Sequence, residues 1–468
     1  KGMTTNRETR KSRVFIVPTL KSQLQLTTEL ASRLQQQRIK VTLCTPNNSG
    51  LTQEIITISK KTNSTINNRE HINTIKNFCE NLYLLALSQL KYRAAPMRSR
   101  IKYLRTARDF FQKKKIAKLE ISKSQSTHLI CFEDGISSPF EYISAAIELK
   151  IPVIVVPYEI SNHQDFQNLL LEKYADGTLY EVPNSALGQL IRSKHAQWIK
   201  TYKRKNFLLF PPEYILARED IIGELQNPWT VHGGPSSYIA VESENTMRVY
   251  RDENIDEKKL VPTGSIYCDL IYEKISEHGD AKRAFENKKK IAPNKTKILV
   301  SLPPNYHATR AKFCEFESYS TVWQQLKRLE DENEQLEISV SIHPNTLDSD
   351  REVINNLNLN TIENGVITAI PVHDLFFTCF SSTIRWALAA GKPVINYDMY
   401  GFNLSIYDNS PGFFSFANFS NSKEKVLKML NNEYYETQAR GMEENRKIWG
   451  EIDGRATENI VRLITEHN

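Results

Sequence analysis

Short apolar runs recur along this chain, and most are followed by a stretch in which apolar positions return every three or four residues. Residues 13–20 (Arg-Val-Phe-Ile-Val-Pro-Thr-Leu) read as a buried strand. Leu24, Leu26, Leu30 and Leu34 then mark a helix across 21–37, and residues 40–45 form the next strand. Strand, helix and strand in this order make a βαβ unit, which requires a parallel sheet. The theme returns with a strand at 127–132, a helix at 139–149 and a strand at 152–156. A strand at 238–242 and the segment up to Gly264 close this first half.

Residues 270–295 break the pattern, being polar and rich in Lys and Glu. It then restarts, with strands predicted at 297–302, 337–342, 366–370, 375–380 and 393–396. Helices are predicted at 322–329 and 383–390, and the tail after Glu424 is helical and polar. The fold class is therefore α/β, with two Rossmann-like doubly wound domains facing a central cleft. The expected layout is an N-terminal domain over 1–270, a linker over 271–295 and a C-terminal domain over 296–440. A C-terminal helix within 441–468 is expected to pack back on the first domain. Ligands of such sheets bind beyond the carboxyl ends of the strands, so candidate chemistry is sought there.

Composition changes the picture little. A length of 468 residues suits two or three domains, and 40% apolar residues are enough for ordinary cores. No run approaches the roughly 20 apolar residues of a membrane span. Residues 1–5 carry no apolar secretory segment, and Lys1-Gly2 ahead of Met3 reads as an addition to the natural start. Cys44, Cys79, Cys131, Cys268, Cys314 and Cys379 are scattered and form no Cys-x-x-Cys pair. Reduced core thiols in a cytoplasmic protein are expected.

Charge changes it more. The net charge of +7 is uneven: between Lys91 and Lys118 a dense series of Lys and Arg is opposed only by Asp109. A second basic cluster runs from Arg192 to Lys205. Such stretches are either solvated helix faces or surfaces for an anionic partner, a charged glycan or the anionic inner face of a membrane. No nucleic-acid-binding motif accompanies them, so no nucleic acid is expected as a partner.

Three strand ends carry candidate chemistry. After the strand at 127–132 come Glu133, Asp134 and Gly135. Adjacent carboxylates repel, which raises one pKa toward that of a general base; the plain alternative is an Asp helix cap. After the strand at 337–342 come His343, Pro344 and Asn345. Proline fixes the exit of the chain, and an imidazolium there can hold a phosphate and protonate it. After the strand at 375–380 come Ser381, Ser382 and Thr383, opening a helix whose free N–H groups suit a phosphate; the plain alternative is an N-cap. Weaker candidates are Asn305 after the strand at 297–302, His232 before Gly233-Gly234, and Asp398 after the strand at 393–396. Thr19, Lys21 and Gln23 follow the first strand.

Glu133-Asp134-Gly135, His343-Pro344 and Ser381-Ser382, in this order, resemble the motifs of bacterial GT-B sialyltransferases and polysialyltransferases. Capsule enzymes that transfer Kdo or other nonulosonic acids look similar in the second half. The resemblance implies a GT-B fold, an acceptor-binding first domain and a CMP-sugar-binding second domain. It implies that Glu133 or Asp134 is the base, that His343 binds and assists the CMP leaving group, and that the Ser381-Ser382 region holds the phosphate. Pro344 and Thr383 complete the CMP-binding set. Lys21, Gln23, Asn305, His232 and Asp398 remain for donor or acceptor, with Lys21 suited to a sugar carboxylate.

The implied activity is inverting, metal-independent transfer of an acidic sugar (sialic, pseudaminic or legionaminic acid, or Kdo) from CMP to a surface glycan or glycolipid. No cofactor is expected, because one phosphate can be neutralised by a helix N-terminus and a His. GT-B enzymes that use UDP-hexoses resemble one another in an acidic residue in the helix after the phosphate loop. Here residues 383–390 carry none. Three rivals stand: a polymerase using CDP-glycerol or CDP-ribitol, a UDP-sugar epimerase-like enzyme, and a non-catalytic binding module. A cytoplasmic location with peripheral contact to the inner membrane face completes the expectation.

Overall fold

The computed structural model describes residues 12–45, 50–67, 78–160, 170, 172–362 and 365–466. The expectation for residues 1–5 lies outside these, as does the side chain of Cys79. The chain divides into two compact units, one of residues 1–240, 250–261 and 460–468, the other of 241–249 and 262–459.

Strands of the first unit, in chain order, are β1 (Arg13–Ile16), β2 (Lys40–Cys44), β3 (Thr65–Asn67), β4 (His128–Cys131) and β5 (Val153–Val155). A small antiparallel sheet follows, of β6 (Tyr180–Glu181), β7 (Lys200–Tyr202) and β8 (Lys205–Leu208). Then come β9 (Tyr238–Val241) and β10 (Leu260–Pro262). The main sheet has the order β3-β2-β1-β4-β5-β9-β10. Its pairs β1–β2, β1–β4, β2–β3, β4–β5 and β5–β9 are parallel. The order reverses between β1 and β4, the doubly wound switch point. Every residue of β4 and β5 is buried, as expected of strands covered on both faces.

The second unit repeats the plan with β11 (Thr296–Ser301), β12 (Leu336–Val340), β13 (Asn360–Thr361), β14 (Leu375–Thr378), β15 (Val394–Tyr397) and β16 (Phe413–Phe416). Its sheet runs β13-β12-β11-β14-β15-β16, and all of these neighbours are parallel. The switch point lies between β11 and β14. Ile298, Val300, Val340, Phe377 and Ile395 from the strands pack with Val322, Trp323 and Leu326 from the helix Tyr319–Asp331.

Helices of the first unit include α1 (Leu24–Gln36), α2 (Thr52–Thr62), α3 (Phe78–Tyr92), α4 (Met97–Ser124) and α5 (Phe140–Glu148). α1 buries Leu26, Leu30 and Leu34 and leaves its other faces wetter. α3 and α4 join the helices Ala186–Lys194 and Pro212–Ile221 in a satellite core containing Tyr103, Phe110, Trp198 and Leu216.

Two expectations are corrected. Residues 366–370 are not a strand: Val366–Ala369 is helical and Ile370–Val372 continues as a tighter turn. The β-branched run reads as a strand, but its most buried members, Ile367 and Ile370, lie three apart, which is one face of a helix. Gly365, at φ +79°, turns the chain into it. The segment 271–295 is no loose linker. It begins inside the helix Ile266–Glu277, continues as the helix Gly279–Asn287, and belongs to the second unit. Four of its apolar residues, Ile271, Ile275, Ala281 and Ala284, lie in these helices and are buried. The chain leaves the first unit at 240 rather than at 270, and residues from Ile460 onward belong to the first unit.

Candidate active site

In the first unit, the chain leaving β4 meets the loop that precedes β9. The Gly135 N–H donates to the Val231 carbonyl at 2.9 Å. A Cβ on Gly234 would lie 1.8 Å from the Asp134 carbonyl oxygen, and one on Gly135 2.5 Å from that of Val231. Only residues without side chains let these backbones touch. Lys259 Nζ donates to the Gly234 carbonyl at 2.8 Å and braces the second loop.

This contact buries three titratable groups. Asp134 is 1% exposed; its Oδ2 accepts the Ser236 N–H at 2.9 Å, and its Oδ1 has no hydrogen-bond partner among the described residues. His232 is buried edge-on to Tyr250, with Nδ1 likewise unpartnered among the described residues. Burial pulls the His232 pKa down to about 4 against the opposing pull of Asp134, so the ring is neutral near pH 7. His232 also lines a cavity of about 390 Å³, together with Trp229, Lys200, Lys259 and Glu253.

Glu133 is 6% exposed, and burial first, then the charges of Glu159 and Asp134, push its carboxyl up to about 8. The repulsion expected between the adjacent carboxylates is present, but loss of hydration is the larger cause. A carboxyl that exchanges its proton near neutrality is equipped for general acid–base work.

Near β1, Gln23 is 1% exposed, and its Oε1 accepts the N–H groups of Thr19 at 2.8 Å and Leu20 at 3.2 Å. The Thr19 hydroxyl donates to the same oxygen. Gln23 and Thr19 thus close the turn into α1, while Lys21 is exposed.

In the second unit, four neighbouring strands send their exits to one edge: β12 toward His343, β11 toward Asn305, β14 toward Ser381 and β15 toward Asp398. His343 is half-buried, and burial lowers its pKa, so the imidazole is neutral near pH 7 and not the imidazolium expected. Its Nδ1 accepts the Asn345 N–H at 3.1 Å, which leaves the ring proton on Nε2. Arg351 braces the turn after Pro344 through the Thr346 carbonyl at 3.2 Å.

Phe380 takes φ +45°, with its N–H on Asn396 Oδ1 at 3.0 Å, and so starts the Ser-Ser turn. Ser381 Oγ accepts the Thr383 N–H at 3.1 Å, a local turn contact; the N-cap of the helix that follows is Thr383, which makes no side-chain cap bond. The helix that follows, Ile384–Ala389, is shorter than the expected 383–390. The N–H groups of Ser381 and Ser382 have no acceptor among the described residues. Asp398 accepts the N–H groups of Phe402 at 2.8 Å and Asn403 at 2.7 Å and thereby caps its own loop. Asn305 accepts the His307 N–H at 2.9 Å.

Sequence reasoning missed Arg385. Its side chain is fully buried and ion-paired with Glu242, and it donates to the Ser382 carbonyl at 2.6 Å, which pins the Ser-Ser turn from below. A lone Arg in an otherwise apolar helix was the available signal. Glu159, whose charge adds to the effect of burial on Glu133, and Ser236, whose N–H bonds Asp134, had none. Asp348-Ser349-Asp350 is an Asp-x-Asp sequence, against the expectation that none offers a metal site; it opens the helix Asp348–Asn356, and Asp350 is 8% exposed. Among the described residues no group of three or more His, Cys, Asp or Glu could hold a metal ion. Cys44, Cys131, Cys268 and Cys379 are buried and Cys314 is half-buried, and none of the five is in a disulfide.

No family model and no curated protein matches the chain. Solved structures do match. A UDP-GlcNAc 2-epimerase from Neisseria meningitidis bound to UDP-GlcNAc is 14% identical at TM-score 0.51, over 97% of this chain and 100% of that one. The glycotransferase of kitacinnamycin is 11% identical at TM-score 0.52, over 97% and 99%. The wall teichoic acid polymerase TagF is 10% identical at TM-score 0.51, over 97% and 88%. At these identities the likeness establishes architecture: the chain has an α/β GT-B fold, built from two doubly wound units.

Proposed function

We propose that this protein is a glycosyltransferase that moves a sugar from a nucleotide-activated donor to a hydroxyl acceptor, with inversion and without a metal. The observation that carries the reading is the Glu133 carboxyl, buried after β4 and pushed up to about 8. In its ionised form Glu133 takes the proton of the acceptor hydroxyl. The hydroxyl oxygen bonds to the anomeric carbon, the bond from that carbon to the nucleotide phosphate breaks, and the electron pair leaves with the phosphate. His343 Nε2–H and the N–H groups of Ser381 and Ser382 steady the departing charge. Asp134, with one oxygen on Ser236, sets the field around Glu133 and His232 and is the less suited of the two carboxylates.

The proposed donor is a CMP-activated acidic sugar, and the acceptor a surface glycan. The motif order supports this, as does the composition of the helix after the Ser-Ser turn. UDP-hexose enzymes carry an acid in this helix; here it carries none, and its one charged residue, Arg385, is already held by Glu242. One phosphate needs no more than neutral donors and a helix start. A UDP-sugar is the second reading, favoured by the likeness to an epimerase solved with UDP-GlcNAc. Thermal-shift titration with CMP, CDP, UMP, UDP and GMP separates the two, since a ligand that binds only the folded chain raises its midpoint by mass action. A rise with CMP alone is expected. A rise with UMP or UDP alone transfers the argument to UDP-sugars, and no rise with any nucleotide overturns the enzymatic reading.

A further inference from the structure

The outer surface of α3 and the start of α4 is apolar and exposed. Leu90 is 84% exposed and Met97 77%; Leu82, Tyr83, Leu85 and Ile101 are between 46% and 52%. The inward positions Leu84, Tyr92, Tyr103, Ala107 and Phe110 already fill the satellite core, so the outer set is surplus to folding. Scattered exposed apolar residues are ordinary, but six large ones within twenty residues of a helical pair are not.

The charge on the same stretch is one-sided. From Leu82 to Arg108 there is no Asp or Glu. Lys91 is neutralised by Asp220 at 2.5 Å, and beyond the stretch Lys113 pairs with Asp109 while Lys114 and Lys118 pair with Glu148. Arg93, Arg98, Lys102, Arg105 and Arg108 are exposed and have no ion-pair partner among the described residues. Apart from Lys91, the exposed cations of this stretch are unpaired among the described residues and coincide with the exposed apolar residues, and the other paired cations lie beyond it.

We infer that this surface docks the protein on an anionic lipid bilayer, with Leu90, Met97 and Ile101 entering the interface and the unpaired cations resting on lipid phosphates. A bilayer answers both features at once: apolar side chains gain depth below the headgroups, and Lys and Arg gain the surface potential. A soluble polyanion would use the cations and leave the leucines in water. No helix among the described residues is long and apolar enough to cross a membrane, so attachment is to one leaflet.

Co-sedimentation with phosphatidylcholine vesicles, with and without phosphatidylglycerol, tests this. Binding is expected only with phosphatidylglycerol, and it should weaken steeply as salt rises. Arg98→Ala and Arg105→Ala should each lower partition about fivefold at low salt. Leu90→Glu combined with Met97→Glu should abolish binding at any salt, with the thermal midpoint unchanged as proof of folding. Equal binding to neutral vesicles, or binding that survives the double substitution, overturns the inference. So does sedimentation velocity showing a dimer that this substitution dissociates, since the surface would then serve a second copy of the chain.

Discussion

The two units share a strand order but prepare their edges in opposite ways. After β4 the first unit buries Glu133, Asp134 and His232, and leaves Asp134 Oδ1 and His232 Nδ1 without partners among the described residues. Along the second sheet, side chains are engaged in shaping loops: Asn305 on His307, Asp398 on Phe402 and Asn403, Ser381 on Thr383. What remains unengaged there is backbone N–H and one imidazole nitrogen. The first unit holds an adjustable proton; the second holds fixed dipoles. A doubly wound sheet can thus serve either need by changing only what its strand exits carry.

The sharpest way to break this contrast is Glu133→Gln. Transfer should fall by roughly 10²–10⁴, the range for a lost general base, and the rising limb of the wild-type pH profile, near pH 8, should vanish. Stability should move the other way. Glu133 titrates near 4.5 unfolded and near 8 folded, so its contribution is intact below pH 4.5 and is lost as pH rises toward 8. Chemical denaturation across this window should find the variant gaining on wild type, by a few kcal/mol at most. A constant difference would mean that Glu133 is ionised in the folded chain.

Arg385→Ala comes next. It strands Glu242 in the interior, and removing one partner of a buried pair costs ~3–5 kcal/mol, readable as a lower denaturation midpoint. A smaller loss would show that water reaches Glu242. His343→Ala should lower turnover by about 10²-fold, the cost of one well-placed donor, with an unchanged melting curve. Near-normal turnover would remove His343 from the phosphate site. Smallest is Ser381→Ala, which should cost ~1 kcal/mol of stability through the lost turn hydrogen bond to Thr383 and weaken nucleotide binding only modestly in a titration.

The parallel strands were legible in the sequence because a strand buried on both faces is a short continuous apolar run, as β4, β5 and β14 are. Residues 366–370 defeated the same logic, since a β-branched run that short does not distinguish periods of two and three. At the site, Glu133, His343 and Ser381 stand at strand exits that the pattern located. Their condition was not legible. Glu159 and Ser236 come to the first cluster, and Glu242 to Arg385, from distant segments, and only the fold brings them together. The α3–α4 surface was visible as charge, yet which cations were paired depended on Asp220 and Glu148.

The single hydrogen bond from Asn345 to His343 has a consequence for proton traffic. An imidazole that is neutral, with Nδ1 occupied and Nε2 carrying hydrogen, cannot hand over that hydrogen without becoming an anion, so in the proposed transfer its part is that of a hydrogen-bond donor and not of an acid. The proton taken from the acceptor then has no internal destination. In the proposed cycle it passes from Glu133 to bulk water before the next turnover.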